Sequence, residues 1–131
     1  MSVLINDDGF QPEDITRWID PEARRVLASD TDPEQLADIL IGAELVRVEF
    51  PSFADGRGFT LARLIRQHGF QGHLRATGHV IADQYAMARR SGFDDVEIDD
   101  DLAARQPEAQ WLSRADWQAH DYQSRMRGLA A

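Results

Sequence analysis

Apolar and polar residues alternate most clearly between positions 45 and 50, and this alternation predicts a β-strand. Val46, Val48 and Phe50 fall on one face, while charged residues occupy positions 47 and 49 on the other. Pro51 cannot donate a ladder hydrogen bond, so we expect the strand to end there. Beyond a glycine-rich loop at 52–58, apolar residues recur at helical spacing, which predicts a helix that ends before the glycine at 69.

The same succession of strand and helix repeats along the chain. In order, strands are predicted at 25–28, 45–50, 73–77 and 95–98, and helices between them at 33–41, 59–68 and 80–91. The second and third helices each end in Gly-Phe before a strand. Strands that alternate with helices pair in parallel through right-handed crossovers. We therefore predict an α/β fold with a small, mostly parallel sheet of repeated βα units, either half-barrel-like or flavodoxin-like.

The two ends of the chain are expected to flank this core. Apolar residues at 3–5 precede the turn Asn-Asp-Asp-Gly, which predicts a hairpin, and Trp18 and Ile19 should anchor the segment that follows. The predicted single domain, residues 1–131, has three parts: an N-terminal arm or hairpin over 1–20, a βα core over 25–100 and a terminal helix over 108–127.

Composition narrows the classes of function. The net charge of −9 argues against DNA or RNA as a partner, because polyanion binding needs a basic surface. No apolar run is long enough for a membrane span, and the first ten residues lack a signal-peptide pattern, so we expect a cytoplasmic protein that does not bind membranes.

Two residue types are missing from the chain. All 14 basic residues are arginine, which excludes Schiff-base lysine chemistry and a phosphate-loop lysine. There is no cysteine, which excludes thiol nucleophiles, disulfides and cysteine-ligated zinc or iron–sulfur clusters held by this chain. The histidines show no zinc-binding spacing, so we expect no metal site, and only His79 is placed for chemistry.

Polar residues gather where the predicted strands end, which is where ligands lie in parallel α/β sheets. Glycine allows a close approach of the backbone, and Arg57 offers a planar charged fork for an oxyanion. The alternative is that Asp-Gly-Arg-Gly at 55–58 is only a tight turn between strand and helix. The candidate ligand-binding residues are Gly56, Arg57, Gly58, Arg75, Thr77, Gly78, Asp83 and Gln84.

Two carboxylates are candidate general acids or bases. Glu49 lies nearest a strand end, where we expect it beside Arg75 of the next strand, and Asp55 lies in the glycine-rich loop. Charged residues inside neighbouring strands also form structural ion pairs, so an ion-pair layer that includes Arg47 and Glu97 is the alternative. Asp83, early in a helix, is explained equally well by the helix dipole.

The run from position 45 to 98 resembles the bacterial domain-of-unknown-function family 934, often labelled an oxidoreductase of sulfite reduction. His79 and Ser91 depart from this pattern, since many relatives have aspartate and cysteine there. No flavin or nicotinamide motif is recognisable, so the cofactor stays unknown. The family pattern maps onto Glu49, Phe50, Pro51, Phe53, Asp55, Gly56, Arg57, Gly58, Arg63, Arg75, Ala76, Gly78, Asp83, Gln84, Gly92 and Phe93.

The resemblance implies a role in assimilatory sulfate or sulfite reduction. The first hypothesis is an accessory protein that binds a sulfur oxyanion, a sulfonucleotide or a reductase, the partner being sulfite reductase or phosphoadenylyl sulfate reductase. The second is an enzyme in which Glu49 or Asp55 acts as acid or base while Arg57 and Arg75 hold an anionic substrate. The third is a structural module without a ligand. Because four βα units make half a barrel, a homodimer that completes the barrel or covers sheet edges is a further hypothesis.

Overall fold

The computed structural model describes residues 2–118. It contains one sheet with helices and short 3₁₀ turns between the strands. The strands are β1 (Ser2–Asn6), β2 (Gly9–Gln11), β3 (Arg24–Leu27), β4 (Leu45–Phe50), β5 (His73–Gly78) and β6 (Asp95–Asp99). The helices are α1 (Leu36–Ile39), α2 (Arg57–Gln67), α3 (Tyr85–Ser91), α4 (Asp100–Arg105) and α5 (Glu108–Leu112).

The six strands form one mixed sheet in the order β2-β1-β6-β5-β4-β3. Strands β3 to β6 are parallel and neighbour one another in chain order, while β1 pairs antiparallel with β6 and with β2. The predicted α/β fold with a mostly parallel sheet is confirmed, and the N-terminal hairpin lies at the sheet edge. Sequential strand order is that of a half-barrel, whereas a flavodoxin-like sheet changes direction in mid-sheet.

The hydrophobic core lies on one face of the sheet. Val46, Val48 and Phe50 point to this face, as the alternation predicts, and pack with Leu61 and Ile65 of α2. Buried residues from α3, α4 and α5 join the same cluster. All the described α-helices that contribute core residues therefore pack against a single face.

The opposite face of β3–β6 carries mostly polar side chains, and we call it the open face. By strand alternation and register, its members are Arg24, Val26, Leu45, Arg47, Glu49, His73, Arg75, Thr77, Asp95 and Glu97. Residues 12–20, which we call the strap, lie across the amino-terminal half of this face. Arg24 fixes the strap by donating hydrogen bonds to the carbonyl oxygens of Arg17 and Ile19.

The ends of α2 and α3 have the predicted geometry. Gly69 and Gly92 adopt positive φ angles of 93° and 116°, and the following amides of Phe70 and Phe93 donate back into the last helical turn. The helices predicted at 33–41 and 80–91 are shorter than expected, because each begins with a 3₁₀ turn before α1 or α3.

Two expectations outside the parallel strands are wrong, and one helix was missed. The helix predicted at 108–127 ends at Leu112, and the remainder of that span from 119 onward lies outside the described residues. Helix α4 was not predicted, although Asp99 caps it by accepting a hydrogen bond from the Leu102 amide at 2.7 Å. Trp18 is 81% exposed and does not anchor the strap.

Within residues 2–118, no helix is long and apolar enough to cross a membrane.

Candidate functional site

The loop between β4 and α2 forms a polar cluster at the carboxyl edge of the sheet. Asp55 accepts hydrogen bonds at 2.9 Å from Nε and Nη2 of Arg57, and at 2.6 Å from the Ser29 hydroxyl. The Arg57 guanidinium is the main reason that the pKa of Asp55 lies well below its ordinary value, and Ser29 adds to the effect. Asp55 is therefore held as a carboxylate and is a poor proton acceptor near neutral pH.

A cavity of about 370 Å³ opens beside this cluster, and we call it the rim cavity. Arg57, Ser29, Thr31 and Thr60 are the polar residues with a positive charge or a hydroxyl group that line it. Asp30 lines it as well, so the three nearest charges, on Arg57, Asp55 and Asp30, sum to −1. This balance opposes an anion rather than attracting one.

The candidate glycines serve different purposes. A Cβ added to Gly58 would lie 2.4 Å from the Phe50 ring, and one added to Gly78 would lie 2.7 Å from the Phe50 carbonyl oxygen. Gly78 also has a φ of 105°, which side-chain-bearing residues rarely adopt. Of the three, Gly56 alone has open space around it, since a Cβ added there would have nothing within 4 Å. Gly58 and Gly78 thus permit close packing within the fold.

Residues between β5 and α3 connect this segment to the loop that follows β4. Gln84 donates from Nε2 to the Phe53 carbonyl oxygen at 2.7 Å and accepts from the Ile81 amide at 3.1 Å. His79 meets the Phe53 ring edge to face, with centroids 5.3 Å apart. Asp83 forms an exposed ion pair with Arg114 at 2.8 Å. These side chains stabilise the carboxyl edge, and none of them lines the rim cavity.

Arg75 does not reach the rim. Its side chain is fully buried on the open face, where it donates to both oxygens of Asp95 at 2.8 and 2.9 Å and to Asp14 of the strap at 3.2 Å. The expectation that Arg57 and Arg75 meet at a common rim is therefore wrong. One arginine follows β4 at the start of a helix on the core face, and the other lies in mid-strand on the opposite face.

Glu49 does not lie beside Arg75 either. The register places Glu49 opposite Thr77 and Arg47 opposite Arg75. Since two like charges face each other, each arginine turns to a carboxylate of β6. Arg75 binds Asp95, and Arg47 crosses β5 to bind Glu97. Of the ion-pair layer expected as the alternative, the Arg47–Glu97 pair is present, whereas Arg75 pairs with Asp95 and Glu49 takes no part within residues 2–118.

A second cavity, of about 270 Å³, lies on the carboxyl-terminal half of the open face. Its lining residues are Val26, Arg47, Glu49, Thr77 and Glu97. Both Glu97 oxygens are occupied, one by Arg47 and the other by the Ser2 hydroxyl at 2.7 Å. Glu49 is exposed and has no hydrogen bond or ion pair to any residue between 2 and 118. It is the free carboxylate of this cavity.

Sequence reasoning missed three polar residues of these clusters. Ser29 follows β3 directly, so its position after a strand end was the available signal. Asp95 opens β6, and only the strand register shows that it faces Arg75. Asp14 lies in the strap, where no periodic pattern marks it. Within the described part of the chain, no three histidine, aspartate or glutamate side chains are grouped to hold a metal ion.

The fold and its polar clusters define a small α/β protein with half-barrel strand order, one helical face and one charged open face. Comparison with family models then places the chain: the model described as a bacterial protein of unknown function, DUF934, matches residues 26–130. The chain belongs to this family. No curated protein and no solved structure matches it.

Proposed function

We propose that this protein is an accessory protein of assimilatory sulfate or sulfite reduction that docks on a reductase through its acidic carboxyl edge. The family resemblance supports the assignment to this pathway, and the charges at the carboxyl edge support the mode of binding. The observation that carries the proposal is that Arg57 is paired with a carboxylate while acidic side chains beside it are exposed.

The carboxyl edge carries most of its exposed charge as carboxylates. Asp30 and Glu34 follow β3, Asp99 ends β6, and two further acidic residues at 100 and 101 begin α4, all of them exposed. Glu34 forms no side-chain hydrogen bond or ion pair within residues 2–118, and Asp30 forms none beyond its electrostatic attraction to Arg57. Such a surface complements a basic patch on a partner and speeds its association. The proposed partner is sulfite reductase or phosphoadenylyl sulfate reductase.

A small sulfur oxyanion or sulfonucleotide in the rim cavity is a weaker form of the proposal. Arg57 keeps N–H groups that Asp55 does not use, and its side chain is 62% exposed. The net charge of −1 at the cavity nevertheless opposes a dianion. A basic docking surface on a reductase is not repelled by this negative charge.

Binding of the purified reductases is the direct test. Asp30→Asn/Glu34→Gln removes two charges at the carboxyl edge, and Glu22→Gln/Glu44→Gln removes two at the amino edge as a matched control. We expect the first pair to weaken binding several-fold at low salt and the second to leave it unchanged, because the interaction is local and screened.

Three results would contradict the proposal: absence of binding to either reductase, an equal effect of both variant pairs, or growth on sulfate that a deletion of the gene does not affect. Calorimetric titration with sulfite, sulfate and adenylyl sulfate tests the oxyanion form of the proposal separately. Uptake that Arg57→Ala abolishes and Arg63→Ala retains would favour the oxyanion form over reductase docking.

The enzyme hypothesis is favoured by one observation: the Glu49 carboxylate in the cavity on the open face has no partner among residues 2–118. There Glu49 would act as the base and Thr77 would bind a polar group of the substrate. Arg47 is already paired with Glu97, so the lining charges sum to −1 and oppose the anionic substrate that the sequence suggested. Glu49→Gln should then abolish complementation of a deletion strain and leave reductase binding intact. Full complementation by Glu49→Gln would rule out this role.

A further inference from the structure

We propose that the rim cavity binds a free α-amino acid with an apolar side chain. The inference does not depend on the proposed function, because the ligand is a small molecule and not a reductase. The net charge of −1 at this cavity opposes an anion, and a cation alone would leave the guanidinium of Arg57 without a ligand partner. A zwitterion adds no net charge and offers an opposite charge to both Arg57 and Asp30.

Two elements form the walls of the rim cavity. Lining residues of α2 recur at positions 57, 60, 61 and 64, which is the spacing of one helix face. The other wall is formed by residues of the segment that follows β3, namely Ser29, Asp30, Thr31 and Pro33. The volume of about 370 Å³ falls within the range of small-molecule sites, about 300–1,000 Å³. The cavity is therefore large enough for an amino acid.

Arg57 keeps one edge of its guanidinium for a carboxylate. Its Nε and Nη2 atoms donate to the two oxygens of Asp55, each at 2.9 Å. Nη1 donates to no residue between 2 and 118, so the edge formed by Nη1 and Nη2 retains N–H groups for a ligand. Such an edge binds a carboxylate through two parallel hydrogen bonds. Asp55 orients the guanidinium in advance, which reduces the entropy lost on binding.

Asp30 supplies the negative charge for an ammonium group. It is exposed, and within residues 2–118 its carboxylate has no hydrogen bond or ion pair beyond its electrostatic attraction to Arg57. The two groups lie near each other without direct contact, so space remains between them. The ammonium and carboxylate groups of an α-amino acid share one carbon atom. An amino acid therefore matches two opposite charges that are close together but not paired.

The rest of the lining favours an apolar ligand side chain. Leu61 is buried, Leu64 is half-buried, and Pro33 is exposed on the facing segment. An apolar group that covers these residues gains about 25 cal/mol for each Å² of apolar surface removed from water. Among residues 2–118, no charged residue other than Asp30 and Arg57 lines the cavity, so a charged ligand side chain would lack a partner.

Calorimetric titration of the full chain with L-leucine tests the inference. Three further ligands each lack one feature: isoamylamine lacks the carboxylate, isocaproate lacks the ammonium group, and glycine lacks the apolar side chain. We expect L-leucine to bind and each of the three to bind about tenfold more weakly or worse, because each loses a charged hydrogen bond or the apolar contact. L-Glutamate should also bind more weakly than L-leucine.

Variants identify the residues that hold the ligand. Arg57→Gln and Asp30→Asn each remove one charge and should weaken L-leucine binding about tenfold or more. Arg63→Gln and Glu34→Gln are the matched controls, because both residues are exposed and neither lines the cavity. Circular dichroism and urea unfolding confirm that each variant folds. Reductase binding measured on the same variants is a separate readout, so failure of one proposal is distinguishable from failure of the other.

Two-dimensional NMR locates the site directly. Addition of L-leucine should shift the amide signals of residues 29–33 and 57–64 and leave those of the strap unchanged. Any of three results would overturn the inference: no uptake of L-leucine, L-methionine or L-valine at millimolar concentrations, equal binding of L-leucine and isocaproate, or binding that Arg57→Gln and Asp30→Asn weaken no more than the two controls do.

Discussion

Arg75→Met tests how much the buried ion-pair cluster stabilises the fold. The Arg75 side chain has no exposed surface, and the substitution removes its bonds to Asp95 and Asp14. The Asp95 side chain is only 8% exposed, so without the guanidinium its carboxylate would stay buried with only His73, 2.9 Å away, beside it. Removing one partner of a buried ion pair costs about 3–5 kcal/mol, and we expect the free energy of unfolding to fall by this amount.

The double variant Arg75→Met/Asp95→Asn separates the cost of the unpaired charge from the value of the pair. With both charges removed, no uncompensated buried charge remains, and stability should return to within about 2 kcal/mol of wild type. Arg63→Met is the control, because Arg63 is exposed on α2 and forms no ion pair or hydrogen bond within residues 2–118. We expect it to change stability by less than about 0.5 kcal/mol.

Urea unfolding at pH 7 with linear extrapolation measures these differences. Loss of the bond from Arg75 to Asp14 should also loosen the strap, so trypsin should cleave after Arg17 faster in Arg75→Met than in wild type. A loss below about 1 kcal/mol in Arg75→Met, or a double variant as unstable as the single one, would refute the view that charge burial at Asp95 dominates.

Three further changes have expected outcomes. Gly78→Ala should lower unfolding free energy in urea by about 1–3 kcal/mol, because a Cβ there approaches the Phe50 carbonyl oxygen. Asp7→Asn should lower the thermal midpoint, because the carboxylate accepts the Tyr85 hydroxyl hydrogen bond at 2.5 Å. Burial raises the pKa of Asp95, but contacts with His73 and Arg75 outweigh it and hold the pKa below the ordinary 3.8. Its contribution to stability in urea should therefore be complete above pH 3.8 and be lost below it, as the pH falls toward and through the lowered pKa of the folded state.

The sequence was sufficient for the strands and for the ends of two helices, since these features depend on local patterns. Period-two alternation located β4 to the residue, and the Gly-Phe pairs marked the ends of α2 and α3. Local pattern failed at the C-terminal helix. There the chain turns after Leu112, and Trp117 reaches Asp7 with Nε1 to Oδ2 at 3.2 Å and packs under Arg89. That tertiary contact has no local sequence signal.

Strand register decides which side chains of the candidate site lie beside each other, and the sequence did not determine this register. Placing Glu49 beside Arg75 requires a shift of two residues from the observed pairing, and this shift preserves which face each side chain occupies. Alternation alone therefore cannot distinguish the two registers. Asp14 is 61 positions from Arg75 in a segment without periodicity, so its role became visible only in three dimensions.

Arginine content is a poor guide to anion binding in this chain, because several of its arginines bind the protein itself. Arg25 donates to the carbonyl oxygens of Ile39 and Ile41, and Arg66 donates to those of Gly72 and Gly92. In a protein without lysine, the planar fork of arginine satisfies the carbonyl groups left at helix and loop ends. Most exposed groups without a partner within residues 2–118 are consequently carboxylates such as Glu49 and Glu34, with Arg63 as an exception, and this directs the search for function toward cationic surfaces.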